Sequence, residues 1–449
     1  MLQTTAHYSW YRSVDLFHRY GAWLTLASIA LIPVKLSLAL IPIIALILLF
    51  LFATGVRALP RSFTAISHFP ILVAPLIGFF AVALVSSAFG IRPSASIPDL
   101  LSCLFFVAAI PAWHQSWTGR DPRILLLALL SGQLFAAIHS VVSAASPTAL
   151  PFRLIGTVSE SGQLALVVPV TCALMFSYRW EAGRSNLGTL SMTFLFITTS
   201  FILCAFAPQL GASTSIAIML IALTLSLAVM IGIRAWQRGH KDLVIAAVIA
   251  PLVVAALVVN LKRGPWVGAF LGSLLFLAVY RRRWVLPGML VIALCLLLEP
   301  IQQRLLASRS DFFIAGGRNE IWSIGRELAL RFPLGIGFDN SAFLRTFSTE
   351  VPPELTHFHN NLLNILVETG WLGLAAFVVW IVAVLRFCFR KRATGQWSFL
   401  LTGIGCAVLA WQIAGGLEYN FGDSEVLYVV YVLLTVASLS QTAHESEVT

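Results

Sequence analysis

The sequence predicts an all-α polytopic membrane protein with about 12–14 transmembrane helices and one long external loop containing an amphipathic helix. Three observations predict it. Of 449 residues, 59% are hydrophobic and 11% charged, where a soluble domain carries roughly a quarter charged residues. The apolar residues fall in repeated runs of about 17–25, the length a helix needs to cross a bilayer, whereas barrel strands alternate over about ten. Basic residues gather in every second loop. With no low-complexity segment, internal repeat or appended soluble domain in view, residues 1–449 read as one membrane domain.

About fourteen spans follow from hydropathy, near 18–34, 36–56, 69–89, 97–114, 123–144, 161–179, 189–207, 212–233, 243–260, 264–280, 284–299, 361–387, 397–417 and 424–440. Only the Pro33-Val34-Lys35 turn separates the first two. Residues 1–20 are polar and amphipathic (Trp10, Tyr11, Leu16, Phe17) and lack a charged leader with a small-residue cleavage site. The first span is therefore expected to be a retained anchor. All six cysteines (Cys103, Cys172, Cys204, Cys295, Cys388, Cys406) lie in apolar runs or at their ends, without CxxC spacing. This argues against a disulfide framework or a metal site.

A net charge of +10 raises the question of nucleic acid. The distribution answers it. Arg12/Arg19, Arg57/Arg61, Arg120/Arg123, Arg179/Arg184, Arg234/Arg238/Lys241, Arg281-Arg282-Arg283 and Arg386/Arg390/Lys391/Arg392 hold about 18 of the 29 Lys and Arg, all in alternate loops. By the positive-inside rule these loops and both termini are cytoplasmic, so the charge is topological and no nucleic-acid partner is expected.

The opposite side holds most carboxylates and one long segment, about Pro300 to Asn360. A loop of that length in a compact protein is generally functional or disordered. Within it, apolar residues at 321, 324, 328 and at 322, 325, 329, 332 make one helical face, preceded by Gly316-Gly317 and stopped by Pro333. The plain expectation is an amphipathic helix lying on the outer membrane surface.

Four external stretches carry polar chemistry: Arg153 to Gly162, Asn260 to Trp266, Gly316-Gly317-Arg318, and His357 to Gly373. The last opens a span with two histidines and two asparagines, and polar groups in hydrocarbon cost a few kcal/mol each unless partnered. At about 100° per residue, Gly370 and Gly373 fall beneath His359 on one helical face. That predicts a groove for a neighbouring helix or a lipid chain, with Glu368 on the opposite face as a packing residue. Asn360 and Asn361 suit a helix cap. Arginines such as Arg153, Arg304, Arg309 and Arg345 also serve simply as lipid-headgroup contacts. Lys262-Arg263 is unusual, because positive charge on this side opposes the topology rule.

The chemistry follows from elimination. His357-Phe358-His359 alone offers too few ligands for a metal, and no GxSxG nucleophile elbow is present. What remains is a histidine able to take a proton from a hydroxyl, among arginines and without a carboxylate cluster. Guanidinium forks match phosphate oxygens. The set suits transfer from a lipid-linked pyrophosphate to an alcohol.

In order and content, the stretches RLIGTVSESGQLAL (153–166), NLKRGPWVGAFLG (260–272), GGRNEIWSIGRELALRFPLGIGFDN (316–340) and HFHNNLLNILVETGWLG (357–373) resemble the O-antigen ligase and O-antigen polymerase superfamily of bacterial inner-membrane glycosyltransferases. The likeness runs from about 150 to 385, with a periplasmic loop at about 300–360. It implies a GT-C-like helical membrane fold, with cytoplasmic termini and a site facing the periplasm. It also implies metal- and cofactor-free transfer of glycan from undecaprenyl pyrophosphate to a lipid or glycan acceptor. By motif position His359 resembles the family's essential histidine and Arg263 and Arg318 its arginines, while Lys262, Asn360, Arg153 and His357 become substrate-binding candidates. Lys262 stands where the family has a small hydroxyl residue, and Val158-Ser159-Glu160-Ser161 where it has an Asn-Pro-Asn type of sequence. The motifs favour a ligase that moves glycan onto lipid A-core. The alternatives are a polymerase of lipid-linked repeat units and a non-enzymatic flippase, although a flippase would place charges along several spans.

Overall fold

The structure, a computed structural model, describes residues 2–54, 69–146, 157–183, 188–313, 317–341, 346, 356–390 and 393–448. Its helices are α1 (Leu2–Leu31), α2 (Leu36–Thr54), α3 (Ala74–Phe89), α4 (Pro93–Trp117), α5 (Arg123–Ala145), α6 (Thr157–Glu181), α7 (Gly188–Phe206) and α8 (Thr214–Gln237). They continue with α9 (Lys241–Val259), α10 (Arg263–Tyr280), α11 (Val285–Cys295), α12 (Glu299–Phe313), α13 (Arg318–Arg331), α14 (Asn361–Phe389), α15 (Gly395–Gly415) and α16 (Ser424–Val448). No strand occurs among the described residues. This is an all-α polytopic membrane protein. Lipid offers no backbone partners, so each apolar run satisfies its own amides as a helix.

Among the described residues, eleven helices are long and apolar enough to cross a membrane. The remaining expected spans take other forms. The first is the second half of α1, and the third is a turn at Phe69–Leu72 continued by the 16 residues of α3. The run at 284–299 departs further. At about 1.5 Å per residue, the 11 residues of α11 are too short for a crossing. Gly288 of α11 packs against Leu274 and Leu277 of α10, and Arg304 of α12 reaches the Leu261 carbonyl at the far end of α10. The chain thus returns along α10 as a helix broken at residues 296–298. The segment expected to be an external loop opens as helix, since α12 occupies it as far as Phe313.

The described loops gather at two ends of the bundle. At one end Arg123 meets Asp121, Glu181 and Gln396, and Arg179 pairs with Asp242. At the other end lie the starts of α6, α10, α13 and α14 and the α15–α16 turn.

The centre is α6, α15 and α16. Of the apolar windows, 89% is buried in α6 and α16 and 78% in α15, but only 22% in peripheral α8. Close approach of α10 to α15 rests on Gly264, Gly268 and Gly272. A Cβ at these positions would stand 2.9, 2.2 and 2.7 Å from the carbonyl oxygens of Ala414, Ala410 and Cys406. Small residues four apart form a flat strip on which a second backbone can lie, the usual way to gain van der Waals contact where lipid removes the hydrophobic drive. The strip brings Lys262 and Arg263 alongside the last turn of α15.

The groove expected beneath His359 is absent. His359 precedes the helix, with φ +51°, and α14 itself is broken at Gly370, where φ is 70° and ψ −175°. The carbonyls of Val367 and Glu368 accept instead from the amides of Ile336 and Gly337, both at 2.9 Å, while Trp371 N–H donates to Pro333 O at 3.1 Å. Counting at 100° per residue fails across such a break. The segment Pro333–Gly337 fills the space. A Cβ on Gly370 would lie 2.4 Å from Pro333 O, so both the positive φ and the contact demand glycine. Glu368 is buried and accepts from the Ser341 amide at 3.2 Å, in line with a packing role.

Helix α13 has the predicted ends but not the predicted setting. Its Ile321, Gly325, Leu328 and Ala329 are buried against Phe358, Leu363 and Val367 rather than lying on lipid. Trp322 Nε1 donates to Phe358 O at 2.8 Å. The apolar stripe marks a protein contact.

Candidate active site

The site grows from the asparagines that follow His359. Asn360 Oδ1 caps α14 by accepting from Leu363 N at 3.0 Å, and its Nδ2 donates to Gly416 O at 3.0 Å. Buried Asn361 accepts from the amides of Asn420 and Phe421 at 2.9 and 3.0 Å and donates to Asn420 Oδ1 at 2.8 Å. Both side chains therefore tie the start of α14 to the α15–α16 turn. Gly415 makes room, since a Cβ there would stand 2.1 Å from Asn361 Nδ2. Phe421 anchors the turn from below, with its ring 5.1 Å from Phe377 and 5.5 Å from Phe79. Thus both groups of the Asn360 side chain, a candidate substrate ligand, are engaged in structure.

The product of this bracing is a carboxylate that sequence reasoning missed. Glu418, 8% exposed, accepts from Arg318 Nη2 at 3.0 Å through Oε1 and lies 3.3 Å from His359 Nδ1 through Oε2. The histidine is thus not set among arginines alone. Burial would raise the Glu418 carboxyl, but the His359 hydrogen bond and the charges of Arg318, His359 and Lys262 outweigh it and hold the group at about 2. The signal available in the sequence was a lone acid in the short Gly-Gly-Leu-Glu-Tyr-Asn turn, which nothing local pairs with a histidine 59 residues earlier.

His357 has a different environment. Its ring is 4.3 Å from that of His359 and 5.5 Å from that of Tyr419, and its Nδ1 accepts from the His359 amide at 3.3 Å. Burial, with His359 beside it, lowers its pKa to about 4. It is neutral at pH 7, with its proton on Nε2. His359 itself has φ +51° and Leu261, before Lys262, φ +56°. A left-handed backbone costs a side-chain-bearing residue about 1–2 kcal/mol, and such strain gathers at functional sites.

Of the residues expected from sequence, His357, His359, Asn360, Arg318 and Lys262 are brought together around Glu418. Arg263 begins α10 directly after Lys262, and the next residue, Gly264, packs against Ala414 and Leu417. Arg153 lies outside the described residues. Among the described residues no group of three or more His, Cys, Asp or Glu could hold a metal ion.

Comparison with curated proteins finds no match. A family model described as O-antigen ligase matches residues 245–378. That segment runs from α9 into α14 and contains Lys262, Arg263, Arg318, His357, His359 and Asn360, while Glu418 lies beyond it. The match, and the meeting of its motifs at one end of a polytopic helical bundle, support membership of the O-antigen ligase superfamily.

Proposed function

We propose that the chain is a metal-independent glycosyltransferase of the bacterial inner membrane, moving a glycan from undecaprenyl diphosphate to an acceptor hydroxyl at the periplasmic face. The observation that carries this reading is the Arg318–Glu418–His359 chain of contacts at 3.0 and 3.3 Å. With Nδ1–H directed at Glu418, His359 keeps Nε2 as the acceptor for a hydroxyl proton. The acceptor oxygen attacks the anomeric carbon, the bond from that carbon to the phosphate oxygen breaks, and undecaprenyl diphosphate leaves. Its charge is met by Arg318, Arg263 and Lys262, which act as positioned donors in a site partly shielded from water. Glu418 stabilises the imidazolium that forms, as a carboxylate does for a catalytic histidine elsewhere. The proton then passes from Nε2 to solvent. Arg153 and His357 complete the substrate-facing set in this reading, His357 as a neutral neighbour that fixes the His359 backbone.

The acceptor we assign is lipid A-core, as in a ligase, because the His-Asn and Gly-Gly-Arg motifs resemble that branch most. Purified protein in liposomes containing lipid-linked repeat units tests it. No reaction until a core lipid is added supports a ligase, and a ladder of longer lipid-linked chains means a polymerase. Transport of the lipid-linked glycan with no transfer to any acceptor would overturn the enzymatic reading.

A further inference from the structure

The Val158-Ser159-Glu160-Ser161 stretch, which departs from the family pattern, builds a second polar cluster beside the first. Glu160 is buried, and it accepts from Ser140 Oγ and from Asn260 Nδ2, the latter at 3.3 Å. Ser159 Oγ donates to Asp423 Oδ2 at 2.5 Å. Glu160 is thus held by neutral donors, and Asp423 is held by Ser159 with Glu425 beside it. The two clusters share their supports: Asn260 stands two residues before Lys262, and Asn420 and Asp423 lie on the turn that carries Glu418.

Several buried polar atoms here have no partner. They are both amide atoms of Gln163 (0% exposed), Nδ2 of Asn420 (1% exposed) and Oδ1 of Asn260. Gln163 follows Ser159 by four residues and Glu160 by three, so all three share one face of α6. Between them Gly162 lies against Asn420 and Val426, where an added Cβ would stand 3.5 Å from Asn420 Cβ and 2.8 Å from Val426 Cγ2. Buried amides are nearly always bonded in folded proteins, and each exception calls for an account.

We infer that Ser159, Glu160, Gln163, Asn260, Asn420 and Asp423 form a subsite for the hydroxyl groups of a sugar, opposite the cationic half that takes the diphosphate. This rests on the glycan-transfer reading above and adds where the glycan sits. The chemistry is selective. A sugar hydroxyl both donates to an amide or carboxyl oxygen and accepts from an amide N–H, whereas an ionised diphosphate has no proton to give the unspent oxygens of Gln163 and Asn260. A polyol thereby satisfies the unspent atoms of Gln163, Asn260 and Asn420 together. Among the described residues the cluster falls short of a metal-ligand group. The sugar belongs either to the donor or to the acceptor, and the same variants distinguish them.

The test uses the full chain in nanodiscs. The probes are undecaprenyl diphosphate, the lipid-linked oligosaccharides that accumulate in a host strain lacking this protein, and the core lipid of that strain. Wild type binds the oligosaccharide-bearing lipid about tenfold tighter than the sugar-free lipid. Gln163→Leu and Asp423→Asn each reduce that preference by about 3- to 10-fold, the worth of one or two hydrogen bonds, and leave affinity for undecaprenyl diphosphate unchanged. That result assigns the subsite to donor glycan. An unchanged preference with a raised KM for the core lipid assigns it to acceptor glycan. Unchanged preference together with unchanged KM values overturns the proposal, as does parallel loss of undecaprenyl diphosphate binding. If either variant fails to reach the membrane, Ser159→Ala carries the same readouts. The transfer reading fails separately, when wild type forms no product with any acceptor although its binding preference holds.

Discussion

His359 Nδ1 lies 3.3 Å from Glu418 Oε2, and the two residues are 59 positions apart. The same carboxylate meets Arg318 Nη2 at 3.0 Å. One buried acid therefore joins the proposed proton acceptor to the proposed anion-binding arginine.

This pairing sets the first expectation. His359→Ala abolishes glycan transfer, a loss of 10²–10⁴-fold at the least for a general base, while His357→Ala does less. Glu418→Gln keeps the side-chain shape but not the charge that stabilises the imidazolium, and lowers kcat with little change in KM. Steady-state kinetics on folded, membrane-inserted variants decide this. Equal and mild effects from both histidine substitutions would remove His359 from its role.

Arginine geometry gives the second. A lysine supplies charge without the planar fork, so Arg318→Lys and Arg263→Lys each lose transfer severely, by about 100-fold. Chelation with EDTA leaves the wild-type rate unchanged. Full activity in both lysine variants, or an EDTA-treated enzyme revived by a divalent cation, would refute a metal-free clamp.

The third concerns pH. His357 has a folded pKa lowered to about 4 by burial and by His359, against about 6.5 when unfolded. Between those values the unfolded chain binds a proton that the folded chain does not, so stability rises with pH there. The contribution is fully present above about pH 6.5 and is lost as pH falls toward 4. Thermal unfolding in detergent between pH 7 and 4 should show this decline, and His357→Gln should flatten it.

Helix packing supplies a fourth. Gly268→Ala sets a methyl 2.2 Å from the Ala410 carbonyl and forces α10 away from α15. The expected loss is about 1–3 kcal/mol, as for other overpacked sites, read as a lower melting temperature. Gly78→Ala, inside α3 with nothing within 4 Å, should not lower it and should raise it slightly if anything.

A fifth expectation fixes orientation. Reporters fused at residues 185, 238 and 392 read cytoplasmic and one at 310 reads periplasmic, because the basic loops alternate. A cytoplasmic signal at 310 would put His359 on the wrong side of the membrane for a periplasmic donor.

Much of the architecture was legible because lipid leaves few choices. A run such as Leu36–Thr54 becomes a helix whatever its neighbours do. His359, Arg318 and Lys262 were legible as polar groups costly to place at a membrane mouth without purpose. Glu418 was not, since an acid in a short turn acquires its meaning only from the tertiary contact made by Asn360 and Asn361. Gly370 was misread for a related reason. Helical counting assumes an unbroken helix, and the break depends on Pro333–Gly337 arriving from elsewhere to bond the freed carbonyls. The face of α13 shows the limit of amphipathicity, because a stripe tells that something is covered and not whether lipid or protein covers it.

The break at Gly370 also sets a depth scale. From Trp371 to Phe389, α14 has 19 residues, about 28 Å of helix and close to the ~30 Å thickness of a hydrocarbon core. The nine residues from Asn361 to Thr369 then rise about 13 Å beyond it. A headgroup layer is only ~5–8 Å thick on each side. In the proposed reaction that surplus of helix has a use: it carries His359 clear of the acyl chains, toward the level of a lipid's phosphates and of the sugar they bear.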